Sequence, residues 1–94
     1  MKRELMDILA CPICRFEELE LIVLKEDREI EEGAIYCPDC GRFYPIIDSI
    51  PVMLPDELRE RKEDVSFLKK WRDALPQKIV LKGKPINLET FKGV

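Results

Sequence analysis

Every cysteine of this 94-residue chain lies in one of two Cys-x-x-Cys pairs. They are Cys11-Pro12-Ile13-Cys14 and Cys37-Pro38-Asp39-Cys40, with residues 15–36 between them. Each pair brings two sulfurs to one tight turn, and two such turns supply the corners of a tetrahedron. Zn²⁺ suits that shell because it imposes no geometry of its own. The chain has no histidine, so Cys11, Cys14, Cys37 and Cys40 are its whole supply of soft ligands. Redox disulfides are the competing reading, but a thioredoxin-like motif occurs once and beside a βαβ pattern. Here the pair occurs twice and no such pattern is visible. Glu4 and Asp7 interrupt the early apolar run, so no secretory leader is expected. A cytoplasmic setting keeps thiols reduced and favours metal.

A domain of this size has little surplus stability, and a metal staple commonly makes up the deficit. The formal charge of −3 counts the cysteines as neutral, so metal-bound thiolates carry the protein further negative. That opposes a free-standing nucleic-acid binder. Residues 1–54 hold 6 Lys/Arg against 12 Asp/Glu, and residues 55–94 hold 10 against 7. The basic second half either forms a solvated surface or leans toward RNA or an acidic partner. No apolar run is long enough to cross a membrane.

Leu5, Ile8 and Leu9 fall at i, i+3 and i+4, which predicts a short helix over residues 3–10, stopped by Pro12. Leu19 to Leu24 reads as a strand, 26–29 as a polar turn, and Ile30 to Tyr36 as the returning strand, with a bulge at Gly33. Gly41 after the second pair permits positive φ, which aims backbone amides at sulfur. Arg15 holds the equivalent place after the first pair, where it would screen thiolate charge. Phe43, Tyr44, Ile46 and Ile47 predict a strand, Asp48-Ser49 a turn, and Ile50 to Leu54 a second extended piece. Pro45 and Pro51 lack amide donors, which suits edge strands that a partner can pair with.

From Asp56 the chain predicts helix, with a stripe of Leu58, Val65, Leu68, Trp71 and Leu75, a break near Glu63-Asp64, and an end at Pro76. Trp71 is expected as a core anchor. Lys78 to Leu81 predicts a short strand, Gly83 a turn, and residues from Ile86 a weakly ordered end. The fold class is α+β: a zinc-ribbon-like small antiparallel β-sheet with a short N-terminal helix and a C-terminal helical extension. Residues 1–55 form the ribbon, and 56–94 an extension and tail packed on the same domain.

Catalysis finds little to work with. A nucleophilic triad lacks its histidine base, and no glycine-rich phosphate loop or nucleophile elbow occurs. Four cysteines would fill the coordination shell that a catalytic zinc leaves open. The chain is expected not to be an enzyme.

Three segments in order, Leu5-Met-Asp-Ile-Leu-Ala-Cys-Pro-Ile-Cys14, Cys37-Pro-Asp-Cys-Gly-Arg-Phe-Tyr-Pro-Ile46 and Asp48-Ser-Ile-Pro-Val-Met-Leu54, resemble the Trm112-type family of small zinc-binding methyltransferase activators and its short bacterial relatives. The resemblance covers residues 1–55 or so. It implies a cytoplasmic, non-catalytic subunit that forms a heterodimer with S-adenosylmethionine-dependent methyltransferases acting on tRNA, rRNA or a translation release factor. Such a subunit keeps the enzyme soluble and promotes its cofactor binding, so S-adenosylmethionine and RNA are met only through the partner. The contact implied is strand addition with apolar packing. Carried onto this chain, it involves Phe43, Tyr44, Pro45, Ile46 and Asp48, then Ile50, Pro51, Met53 and Leu54, with Leu5, Ile8 and Leu9 from the opening helix.

The chain departs from that pattern at Ser49, where the family often has glycine, in its short inter-knuckle segment, and in continuing through 56–94. Two other classes stand beside this reading. Cys37-Pro-Asp-Cys-Gly41 also resembles a rubredoxin knuckle, which would hold iron for electron transfer. A nucleic-acid-binding zinc ribbon is the other, opposed by the acidic first half.

Overall fold

The computed structural model describes residues 1–89. Four strands, β1 (Glu20–Glu26), β2 (Ile30–Tyr36), β3 (Phe43–Ile47) and β4 (Ile50–Pro51), form one antiparallel meander in the order β1-β2-β3-β4. A 3-10 turn at Arg3–Asp7 precedes it. Another at Asp56–Leu58, then helices α1 (Arg61–Lys70) and α2 (Gln77–Val80), follow. The expected α+β ribbon with helical flanks is the observed architecture.

Both faces of the sheet are buried, and strand alternation assigns the side chains to them. Ile35, Tyr44 and Ile46 face one cluster with Met1, Ile30, Cys11 and Cys37, against which Met6, Leu9 and Phe16 pack. Ala34 and Phe43 face a second cluster with Phe67 and Leu68 of α1, Leu75, and Ile79 and Val80 of α2. The rings of Phe43 and Phe67 stack with centroids 6.4 Å apart. An inner strand covered on both sides is apolar at every position, and Phe43-Tyr-Pro-Ile-Ile47 reads that way.

Several expectations are corrected. β3 lies between β2 and β4, not at an edge, and Pro45 is fully buried opposite Ala34. The Pro45 carbonyl accepts from the Val52 amide, so the polar side of this residue faces the short β4, and the missing N–H falls there and not in the β2 ladder. The second extended piece forms regular pairing only over Ile50–Pro51. The irregularity near Gly33 lies on the opposite strand, where the register shifts between Val23 and Lys25. Gly33 serves close approach: a Cβ there would lie 2.5 Å from the Ile22 carbonyl oxygen.

The helical segment breaks at Arg59-Glu60, earlier than the expected Glu63-Asp64, and Leu58 is exposed and not part of the stripe. Lys78 to Leu81 is not a strand. A helical turn forms there with Pro76 as its N-cap, and the Pro76 carbonyl accepts from the Ile79 and Val80 amides. Ile86 and Asn87 are buried, so ordered packing continues past Gly83. The tail from Thr90 lies outside the described residues.

The charge asymmetry is used partly inside the fold. Lys78 of α2 pairs with Glu20 at 2.6 Å and lies over the Tyr36 ring, while Lys70 of α1 pairs with Glu32 at 3.2 Å. Beneath α1, Arg59 donates to Asp64 at 3.0 Å and to the Phe43 carbonyl at 2.9 Å, with its guanidinium over the Phe43 and Tyr44 rings. Both partners are buried.

Candidate metal centre

The two Cys-x-x-Cys turns have the same backbone design. Arg15 N–H donates to the Cys11 carbonyl at 2.8 Å, and Gly41 N–H to the Cys37 carbonyl at 2.9 Å. Cys11 N–H in turn reaches the Phe16 carbonyl, and Cys37 N–H the Arg42 carbonyl. Both Gly41 and Arg15 take positive φ, 81° and 68°. The first turn thus imposes on an arginine the conformation that glycine accepts without strain. In this geometry the backbone bonds of Ile13 and Cys14 reach Cys11, and those of Asp39 and Cys40 reach Cys37.

All four sulfurs lie within 4.8 Å of one another, with Cys11 and Cys37 buried and Cys14 and Cys40 half-buried. Cys11 Sγ is 3.6 Å from Cys40 Sγ, and Cys14 Sγ is 3.4 Å from Cys37 Sγ. Sulfurs about 2.3 Å from one zinc ion stand about 3.8 Å apart at tetrahedral corners, so the donor set fits a closed four-thiolate shell.

Two residues that the spacing did not point to complete the surroundings. The Tyr44 hydroxyl is 3.1 Å from Cys11 Sγ, entirely within the core. Arg42 makes a two-pronged pair with Asp56, Nε to Oδ1 at 2.9 Å and a terminal nitrogen to Oδ2 at 2.8 Å, and Asp56 followed by the Cys40 sulfur favours its charged form. Arg42 is the cation that interacts with a knuckle sulfur. Arg15 is exposed.

The electrostatics follow from these contacts. Burial opposes ionisation of Cys11, but the Cys14 backbone and the Tyr44 hydroxyl outweigh it and lower that thiol to about 6. Cys14 moves up: the Phe16 backbone pulls it down, while burial and the neighbouring sulfurs hold its proton more strongly. Burial raises Cys37, and burial followed by the Cys11 contact raises Tyr44, which therefore stays a donor. Pairing with Arg42 holds the Asp56 carboxyl below the usual range.

The candidate partner-facing residues separate into two groups. Phe43, Tyr44, Pro45 and Ile46 are buried, so their side chains build the core. Leu5, Ile8, Ile50 and Leu54 are exposed, with Ile8 at 77% and Ile50 at 65% of full accessibility. Asp48 is exposed at the hairpin tip, and Leu9, Pro51 and Met53 are half-buried. Asp48 and Ser49 both take positive φ, 50° and 68°, the geometry of a type I′ turn, which explains why glycine is favoured at Ser49. The second knuckle is also tied to the C-terminal segment. Lys84 N–H donates to the Gly41 carbonyl and Phe43 N–H to the Lys84 carbonyl, both at 3.0 Å.

Comparison with known proteins adds four findings. A sequence model of the Trm112p-like protein family matches residues 2–49. A UPF0434 protein of Nitrosococcus oceani is 42% identical over 60 residues, which span 64% of this chain and 88% of that protein. One from Hahella chejuensis is 42% identical over 64 residues, spanning 68% and 93%. Among solved structures, a complex between the Haloferax volcanii Trm112 methyltransferase activator and a candidate methyltransferase contains a similar chain. It has 45% identity and a TM-score of 0.58, covering 63% of this chain and 100% of that one.

Proposed function

The chain belongs to the Trm112p-like family, and we propose that it is a non-catalytic, zinc-holding subunit that binds and activates an S-adenosylmethionine-dependent methyltransferase. The observation that carries the reading is the 45% identity to the Haloferax activator over that chain's full length. The substrate class proposed for the complex is tRNA, rRNA or a translation release factor.

The residues support a scaffold role. Zinc, held by Cys11, Cys14, Cys37 and Cys40, would supply cross-linking of the two knuckles and no open coordination position. The knuckles fix the chain leading into β1, the end of β2 and the start of β3, so the sheet that carries β4 is ordered before any partner arrives. Pre-ordering lowers the entropy cost of association. Backbone groups along residues 50–54 would pair with a partner strand, and Ile50 and Leu54, with Leu5 from the 3-10 turn and Ile8 just after it, would fill its apolar surface. The enzyme gains a cover for exposed apolar surface, and this chain contributes no reacting group.

Co-expression of the chain with the methyltransferase recovered alongside it from its native cell tests the reading. Replacing Ile50 and Leu54 together with Asp is expected to abolish the complex while one zinc per chain is retained. A complex that survives both changes would overturn the proposed surface.

A further inference from the structure

A cleft between α1 and the sheet has no part in the metal site. Its floor is Ile47 of β3 with Phe67 and Trp71 from α1 and its C-terminal end, and Glu32, Glu63 and Lys70 stand on its rim. Its volume is 310 Å³, at the low end for small-molecule sites but ample for one or two side chains.

Its position is tied to β4. Ile47 is the cross-strand partner of Ile50, and directly opposed residues of an antiparallel pair project from the same face. Ile50 is therefore an exposed apolar side chain beside the Ile47 wall of the cleft. A strand added along β4 would carry its neighbouring side chains to that opening.

The rim selects the chemistry. Lys70 is committed to Glu32 at 3.2 Å, with its ammonium also 5.1 Å from the centre of the Trp71 ring. Glu63 makes no ion pair among the described residues. The mouth thus presents apolar walls and one carboxylate that a cation would complement.

We propose that this cleft is a second docking surface for the methyltransferase, receiving an apolar side chain of the enzyme that is flanked by a lysine or arginine. The inference rests on the activator reading and deepens it. Five of the seven lining side chains, Glu63, Ser66, Phe67, Lys70 and Trp71, lie beyond the family match that ends at residue 49. The cleft is a specificity device built jointly by the ribbon and its extension. It narrows the set of enzymes that the common β4 surface would otherwise accept.

Trp71 is the single tryptophan of the chain, which makes the test direct. The chain is labelled with 5-fluorotryptophan and titrated with the methyltransferase that co-purifies with it. The fluorine resonance is expected to shift on binding. Ser66→Tyr, which fills the cleft from an exposed helix position, is expected to weaken the complex about tenfold, the scale of an interface anchor. Glu63→Lys is expected to weaken it less, and Ile50→Asp to abolish it. If Ile50→Asp breaks the complex but Ser66→Tyr binds normally and the resonance stays put, the cleft proposal is wrong and the activator reading stands. If Ile50→Asp is also harmless, the β4 surface fails with it. A shift that depends on the concentration of this chain alone would assign the cleft to a second copy, and overturn the proposal.

Discussion

The Tyr44 hydroxyl and the Cys11 sulfur meet 3.1 Å apart in a place neither shares with solvent. An isolated tyrosine on a strand would be read as packing, and here it holds a ligand in place. Tyr44→Phe keeps the ring and removes the donor. Hydrogen bonds to metal ligands are commonly worth about 10–100-fold in metal affinity. Competition with a chromophoric chelator is expected to show weaker zinc binding in that range, with the fold retained. Unchanged affinity would reduce Tyr44 to a core residue.

The two knuckles make opposite predictions at equivalent sites. A Cβ added at Gly41 meets nothing within 4 Å, so Gly41→Ala is opposed by backbone conformation alone. The left-handed region costs an L-residue about 1–2 kcal/mol. Arg15 already bears that cost, and Arg15→Gly should recover part of it, offset by the greater freedom of glycine when unfolded. Thermal unfolding of the zinc-loaded proteins should show Gly41→Ala lower and Arg15→Gly equal or higher than the parent.

The pair between Arg42 and Asp56 links the second knuckle to the C-terminal segment and predicts a pH dependence. The Asp56 carboxyl is lowered in the fold, so the pair stabilises above the unfolded value of about 4 and is lost as pH falls through the lower folded value. Asp56 is 38% exposed, which limits the effect to about 1 kcal/mol or less. Urea unfolding of the parent and of Asp56→Asn should differ at pH 6, and the gap should close as acid protonates the parent.

Arg59 and Asp64 form a pair buried beneath α1. Burial raises the Asp64 carboxyl, and Arg59 opposes the rise. Removing one partner strands the other, and Asp64→Ala is expected to cost about 3–5 kcal/mol. Replacing both with apolar residues of similar size should cost less than either single change. Chemical denaturation of the three variants checks the order.

The ribbon was legible because its signals are local. The two cysteine pairs, the apolar strand runs and the Asp48-Ser49 turn are each written within a few residues. What was missed is non-local. Phe43 to Ile46 read as a partner-facing edge because nothing in that segment reveals that residues 61–80 cover its second face. The role of Arg42 is likewise hidden in the sequence, because its partner Asp56 lies across the fold. The helical turn at Gln77–Val80 read as a strand from its branched residues, when Pro76 was the stronger local determinant.

Native mass spectrometry of the chain isolated from its own cells, with metal identity measured on the same sample, distinguishes an activator from an iron or RNA-binding protein. One methyltransferase and one zinc ion per chain are expected, the complex persisting after ribonuclease treatment. A chain recovered alone with iron, or held to RNA with no methyltransferase present, would contradict it.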